Sequence, residues 1–143
     1  MPAARRTKLL EWGWKLHLWT FRLSGGRLGS SLFGIPVLRL TTVGRRSGQA
    51  RDVMLHYFKH GESHVVFGSN SGEPTHPEWY LNLEDKPDAV AQFGKHPVRV
   101  RARVASGDER DRLWFRMVEL DPAYAEYQRR TDRQIPVVIL DPR

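Results

Sequence analysis

Three arginines crowd into the short segment Gly44-Arg45-Arg46-Ser47-Gly48-Gln49-Ala50-Arg51. Forked guanidinium groups bind phosphate and carboxylate oxygens in pairs, and a glycine-bounded turn exposes backbone N–H groups to the same anions. On residue types alone this is an anion site. It reads equally as a solvated basic hairpin whose glycines serve only turn geometry. The spacing is neither that of a nucleotide P-loop nor that of a dinucleotide fingerprint.

Other side chains could do chemistry. Tyr124 and Tyr127 stand three apart, so on a helix they share a face, where a phenol could donate to a carbonyl or nitro oxygen or simply pack. His56, on a strand, could protonate a reduced acceptor or serve as a structural histidine. The remaining histidines, His17, His60, His64, His76 and His96, make no metal-ligand spacing, and no metal is expected. With no cysteine in the chain, thiolate ligands, disulfides and cysteine nucleophiles are excluded together. Arg99, Arg101 and Arg103 form a basic strand face without interleaved aromatics, so it reads as solvated rather than as a nucleic-acid surface.

A chain of 143 residues suffices for one domain. A formal charge of +7 and a pI of about 10.2 favour acidic partners without choosing among them. No run of about 18 apolar residues and no secretory signal pattern are present, so the expected location is the cytoplasm.

The elements that must position these groups follow from periodicity. Residues 7–22 read as a helix with Glu11, Arg22, Lys15 and Lys8 on one narrow stripe and Trp12, Trp14 and Trp19 among the apolar remainder. So much apolar surface needs a second cover, either protein (including a dimer contact) or the inner face of a membrane. A Gly/Ser-rich connector follows, setting an expected boundary between residues 1–31 and a main domain of residues 32–143. Strands are predicted over residues 36–43, 51–58, 64–68, 98–104 and 135–140, with a short helix at 78–84 behind Pro77. Ser106 and Glu109 predict a capping box for a helix to about Leu120, with Leu113, Trp114, Met117 and Val118 inward. Pro122 then restarts a second helix. Short connections favour an antiparallel α+β sheet or barrel.

The string LRLTTVGRRSGQAR resembles the deazaflavin-dependent nitroreductase family of coenzyme F-420-utilising split-barrel oxidoreductases. Three further segments agree in order: GSNSG from Gly68, HPEWYLNL from His76, and PAYAEYQ from Pro122 with TDRQIP from Thr131. The resemblance runs from Pro36 to Pro142 and implies a split β-barrel with an N-terminal helix and flanking helices. It also implies that reduced coenzyme F-420, with FMN the less favoured cargo, gives hydride to a quinone, nitroaromatic or enone. A non-catalytic carrier or storage protein for a deazaflavin or flavin is the alternative.

By the same resemblance Arg45, Arg46 and Arg51 match cations that hold the coenzyme's tail, with Gln49 in the same turn. Ser69, Asn70, Ser71 and Gly72 match the loop beside ring and phosphate, and Trp79 and Asn82 match helix contacts. Tyr124, Tyr127, Ser69 and His56 become the acceptor-side candidates. The family often carries Lys-Gly where this chain has Asn70-Ser71, and often Tyr where His56 stands. Expected partners are a small acceptor and no nucleic acid, with membrane contact through the N-terminal helix and a homodimer as further options.

Overall fold

A computed structural model describes residues 31–32 and 34–143. The helix expected over residues 7–22 and its connector up to residue 30 lie outside the described residues, while Ser31, the connector's last residue, is in a strand. In chain order the elements are β1 (Ser31–Leu32), β2 (Ile35–Val43), β3 (Ala50–His56), β4 (Phe58–His60), β5 (Ser63–Phe67), a 3₁₀ turn (Asn70–Gly72), α1 (Glu78–Asp85), β6 (Asp88–Phe93), β7 (His96–Val104), α2 (Gly107–Leu120), α3 (Ala123–Arg129) and β8 (Val137–Pro142).

Every strand pairing is antiparallel; the main sheet runs in the order β3-β2-β6-β7-β8-β5-β4, and the two-residue β1 also pairs with the start of β2. β3 and β4 are thus the two ends of the sheet, yet only Tyr57 separates them in the chain. Its amide still donates to the Pro36 carbonyl at 3.1 Å, so the chain leaves one end of the sheet and enters the other within a single bend. That bend curls the sheet into the expected α+β split barrel.

β5 and β8 show why the barrel needs helices outside it. Side chains alternate across a strand, and here both faces are apolar. Val66, Val138 and Leu140 point into the barrel with Leu38, Leu40, Ala91 and Val100, where Trp79, Tyr80 and Leu83 of α1 close the core. Val65, Phe67, Val137 and Ile139 point outward, against Leu113 and Met117 of α2 and Tyr124 of α3. Each such fully buried aliphatic side chain contributes roughly 1.5–3 kcal/mol.

Four details differ from the sequence-based expectations. β6 was not expected, because the core-facing side of DAVAQF carries two alanines and, at its end, a partly buried Phe93, a weak strand signature. The strand expected over residues 51–58 is broken at Tyr57 by the bend. In β7 only Val100 of the four alternating apolar residues is fully buried, while Val98 and Val104 at the strand ends are exposed. Ser106 occupies the N-cap of α2 without a side-chain cap bond, and Glu109 turns instead to Arg103, at 3.0 Å.

Candidate functional site

The basic turn is a tight hairpin. The Gly44 amide donates to the Gln49 carbonyl and the Gly48 amide to the Gly44 carbonyl, both at 2.8 Å. Gly48 sits at φ +72°, a conformation that favours glycine, and a Cβ on Gly44 would crowd Ser47 Oγ at 2.8 Å and the Gln49 carbonyl at 3.2 Å. The turn is stapled to α1 by Asn82, which is nearly fully buried. Asn82 Oδ1 accepts from the Arg45 amide at 3.2 Å and the Arg45 guanidinium at 3.0 Å, while its Nδ2 donates to buried Thr42 Oγ1 at 3.1 Å. The staple fixes where Arg45 stands.

Between this turn, α1 and the loop before it lies a groove of about 560 Å³. Arg45, Arg46, Arg51, Asn70, Trp79 and Asn82, all candidates from sequence, line it together with Asp52, Val53, Thr75, His76 and Glu78. Three guanidinium groups against the carboxylates of Asp52 and Glu78 leave the wall net positive. Arg45 already bonds Glu78 across the groove at 2.6 Å, and this contact holds the Glu78 carboxyl below the usual carboxylate range. Arg51 donates to Ser47 Oγ at 3.3 Å. Gln49 is exposed and serves the turn through its backbone.

The loop from Gly68 to His76 makes the far wall, and it is held in an uncommon shape. Asn70, Ser71 and Gly72 stand at φ 46°, 55° and 77°, a left-handed run that costs roughly 1–2 kcal/mol per non-glycine residue. Asn70 Nδ2 donates to the Thr75 carbonyl at 3.0 Å and supports its own conformation. Gly72 packs so closely on α3 that a Cβ would meet the Tyr127 carbonyl at 2.8 Å. Arg133, from the TDRQIP segment, reaches under the loop and donates to the carbonyls of Gly68 (3.0 Å), Ser69 (2.8 Å) and Glu73 (3.1 Å). It also meets His76 Nδ1 at 2.9 Å.

The acceptor-side candidates form a second group outside the groove lining. Tyr124 Oη lies 3.5 Å from His56 Nδ1. The Tyr124 ring packs edge-on against Tyr127 at 5.3 Å and Phe67 at 5.7 Å. Burial, with smaller contributions from Tyr127 and Asp121, pushes the Tyr124 phenol well up, so it stays protonated and can act only as a hydrogen-bond donor or acceptor. Ser69 enters through its carbonyl, held by Arg133, and the 3₁₀ turn joins this group to the groove. Sequence reasoning missed His76, Glu78 and Arg133 as individual residues, although His76 heads one of the segments that carried the resemblance and Arg133 lies within another.

The family described as F420H(2)-dependent quinone reductase matches residues 13–142. The chain belongs to this family. An F420H(2)-dependent quinone reductase of Mycobacterium tuberculosis is 36% identical over 133 residues, covering 90% of this chain and 89% of the relative. The solved structure of the F420-H2 dependent reductase FDR-A superposes with a TM-score of 0.68 at 38% identity, over 74% of this chain and 94% of that one. A structure titled domain-swapped dimer superposes with a TM-score of 0.70 at 36% identity, over 88% and 96%. As a quinone reductase family member the chain is an oxidoreductase, and its cofactor is reduced coenzyme F420. A net-positive groove beside a buried aromatic group suits a coenzyme with an anionic side chain and a flat ring.

Proposed function

We propose that the groove holds the anionic side chain of reduced coenzyme F420 and that hydride passes to a quinone lodged beside Tyr124, Tyr127 and His56. The observation that carries this reading is the Asn82 staple, which holds Arg45 and its turn against a groove that Arg46 and Arg51 also line, in a chain of this family. Arg46 and Arg51 supply the main cationic contacts, and Arg45 joins them when its bond to Glu78 is exchanged for one to the coenzyme. Trp79 gives the groove an apolar wall for the ring end. When bound, the coenzyme supplies a hydride from its deazaflavin ring.

The chain's own residues orient the partners, exclude water and manage a proton. A quinone that accepts a hydride must also gain a proton on oxygen, and the Tyr124–His56 pair holds hydrogen-bonding protons in a dry, aromatic setting. The raised pKa of Tyr124 makes its hydroxyl a donor to developing negative charge rather than a base. Nitroaromatics and enones share the electron-poor, oxygen-bearing character of quinones and belong to the same acceptor range. The structural relative titled domain-swapped dimer also supports a homodimer, which light scattering on the full chain would read directly.

Anaerobic mixing of the protein, reduced coenzyme and menadione is expected to bleach the reduced deazaflavin signal and restore that of the oxidised form. No spectral change with menadione or with a nitroaromatic would overturn the reading. Tight binding of the coenzyme without turnover would shift it to a carrier.

A further inference from the structure

Arg133 is the most heavily used guanidinium among the described residues, yet the reading above gives it no part. Its four bonds span the whole phosphate-side loop, from the carbonyls of Gly68 and Ser69 through that of Glu73 to the ring of His76. Three of those acceptors are backbone oxygens, and the fourth chooses a protonation state. Arginine only donates, so His76 Nδ1 must present its lone pair at 2.9 Å. The proton of the neutral ring is therefore on Nε2. Burial and the neighbouring Arg133 both lower the His76 pKa, opposed more weakly by Glu84, in agreement with a neutral ring. His76 is also one of the residues that line the groove.

We propose that Arg133 is a positioning residue that locks His76 in the Nε2–H tautomer, and that His76 is a further coenzyme-binding residue whose Nε2–H donates to an anionic oxygen of the coenzyme's side chain. The proposal rests on the coenzyme reading of the groove. It gives the loop a neutral donor on the wall where Asn70 and Ser71 offer no cation. A fixed tautomer matters because a ring free to exchange tautomers would present a lone pair to the anion part of the time, and two facing acceptors repel.

The first test needs no coenzyme. Long-range proton–nitrogen correlation spectra of the full chain at neutral pH, with His76 assigned by its loss in His76→Phe, are expected to show a protonated Nε2 and a bare Nδ1. In Arg133→Gln the pattern is expected to move toward a tautomer mixture. Inorganic phosphate is expected to shift the His76 Nε2 resonance. A protonated Nδ1 in the unmodified chain would overturn the proposal outright.

The second test reads affinity by quenching of deazaflavin fluorescence. His76→Phe is expected to weaken coenzyme binding about tenfold, the usual size for a hydrogen bond to a charged group. His76→Gln, which keeps one acceptor and one donor, is expected to recover most of that loss. Unchanged binding in His76→Phe would sink the His76 contact while leaving the groove reading intact, whereas failure of the unmodified chain to bind overturns both. Coenzyme stripped of its glutamates separates the two anion sources. An equal loss assigns the contact to the phosphate, and a loss that vanishes assigns it to a tail carboxylate.

Discussion

At the scale of single residues, the groove is governed by competition for Arg45. Glu78 is mostly exposed but bonded to Arg45 at 2.6 Å, and its lowered pKa keeps it a carboxylate at neutral pH. It therefore stands where an incoming carboxylate or phosphate would stand, and its charge opposes that anion. Glu78→Gln removes the charge while keeping the side chain's length, and is expected to tighten coenzyme binding roughly two- to fivefold, the scale of one exposed ion pair. The gain is expected to shrink as salt is raised, because exposed charges are screened over about 10 Å at 0.1 M. Equal or weaker binding by the variant in a low-salt titration would mean that Glu78 positions Arg45 rather than competing for it. Asp52, also in the lining, is tied to Thr41 Oγ1 at 2.7 Å and is expected to matter less.

At the scale of elements, the 3₁₀ turn is the part most directly shaped by backbone cost. Ser71 holds φ 55° without the freedom of glycine, whereas Gly72 at φ 77° has no room for a side chain against the Tyr127 backbone. The two positions should respond in opposite senses. Ser71→Gly is expected to stabilise the fold by about 1 kcal/mol, and Gly72→Ala to destabilise it by about 2 kcal/mol or more while separating the turn from α3. Urea unfolding checks both, and a stabilised Gly72→Ala would refute this account of the turn.

The same turn shows what the sequence could and could not convey. The basic hairpin, α1 behind Pro77, α2 and the buried β8 were legible because turn residues, a helix-start proline and apolar periodicity act locally. β6 was not, since two alanines and a terminal Phe93 facing the core carry little pattern. The closing bend at Tyr57 was not, because nothing in Leu55-His56-Tyr57-Phe58 marks the ends of a sheet. The lining arginines were legible as a cluster, but the bond from Arg133 to His76 spans 57 positions and only the fold brings its partners together.

At the scale of the whole molecule, two partly buried histidines on different elements make stability depend on pH in one direction. His76 is lowered mainly by burial and then by Arg133, against a weaker pull from Glu84. His64, whose ring lies 4.2 Å from that of Phe93 and 5.4 Å from that of Tyr57, is lowered mainly by burial and then by Lys59. Both are held neutral by the fold, so the unfolded chain binds their protons more readily, with an ordinary imidazole value of about 6.5. Their contribution is fully present above that value and is lost as pH falls through the lower folded values. The urea midpoint is therefore expected to be flat from about pH 8 to 7 and to fall between about pH 6.5 and 5, before carboxylates begin to titrate in force. His64→Phe and His76→Phe should each flatten that slope, and together remove most of it, since the two rings share no contact. A midpoint that rises on acidification, or a slope untouched by both substitutions, would show that the fold does not hold these rings neutral. It would also remove the support that His76 neutrality lends to its pairing with Arg133.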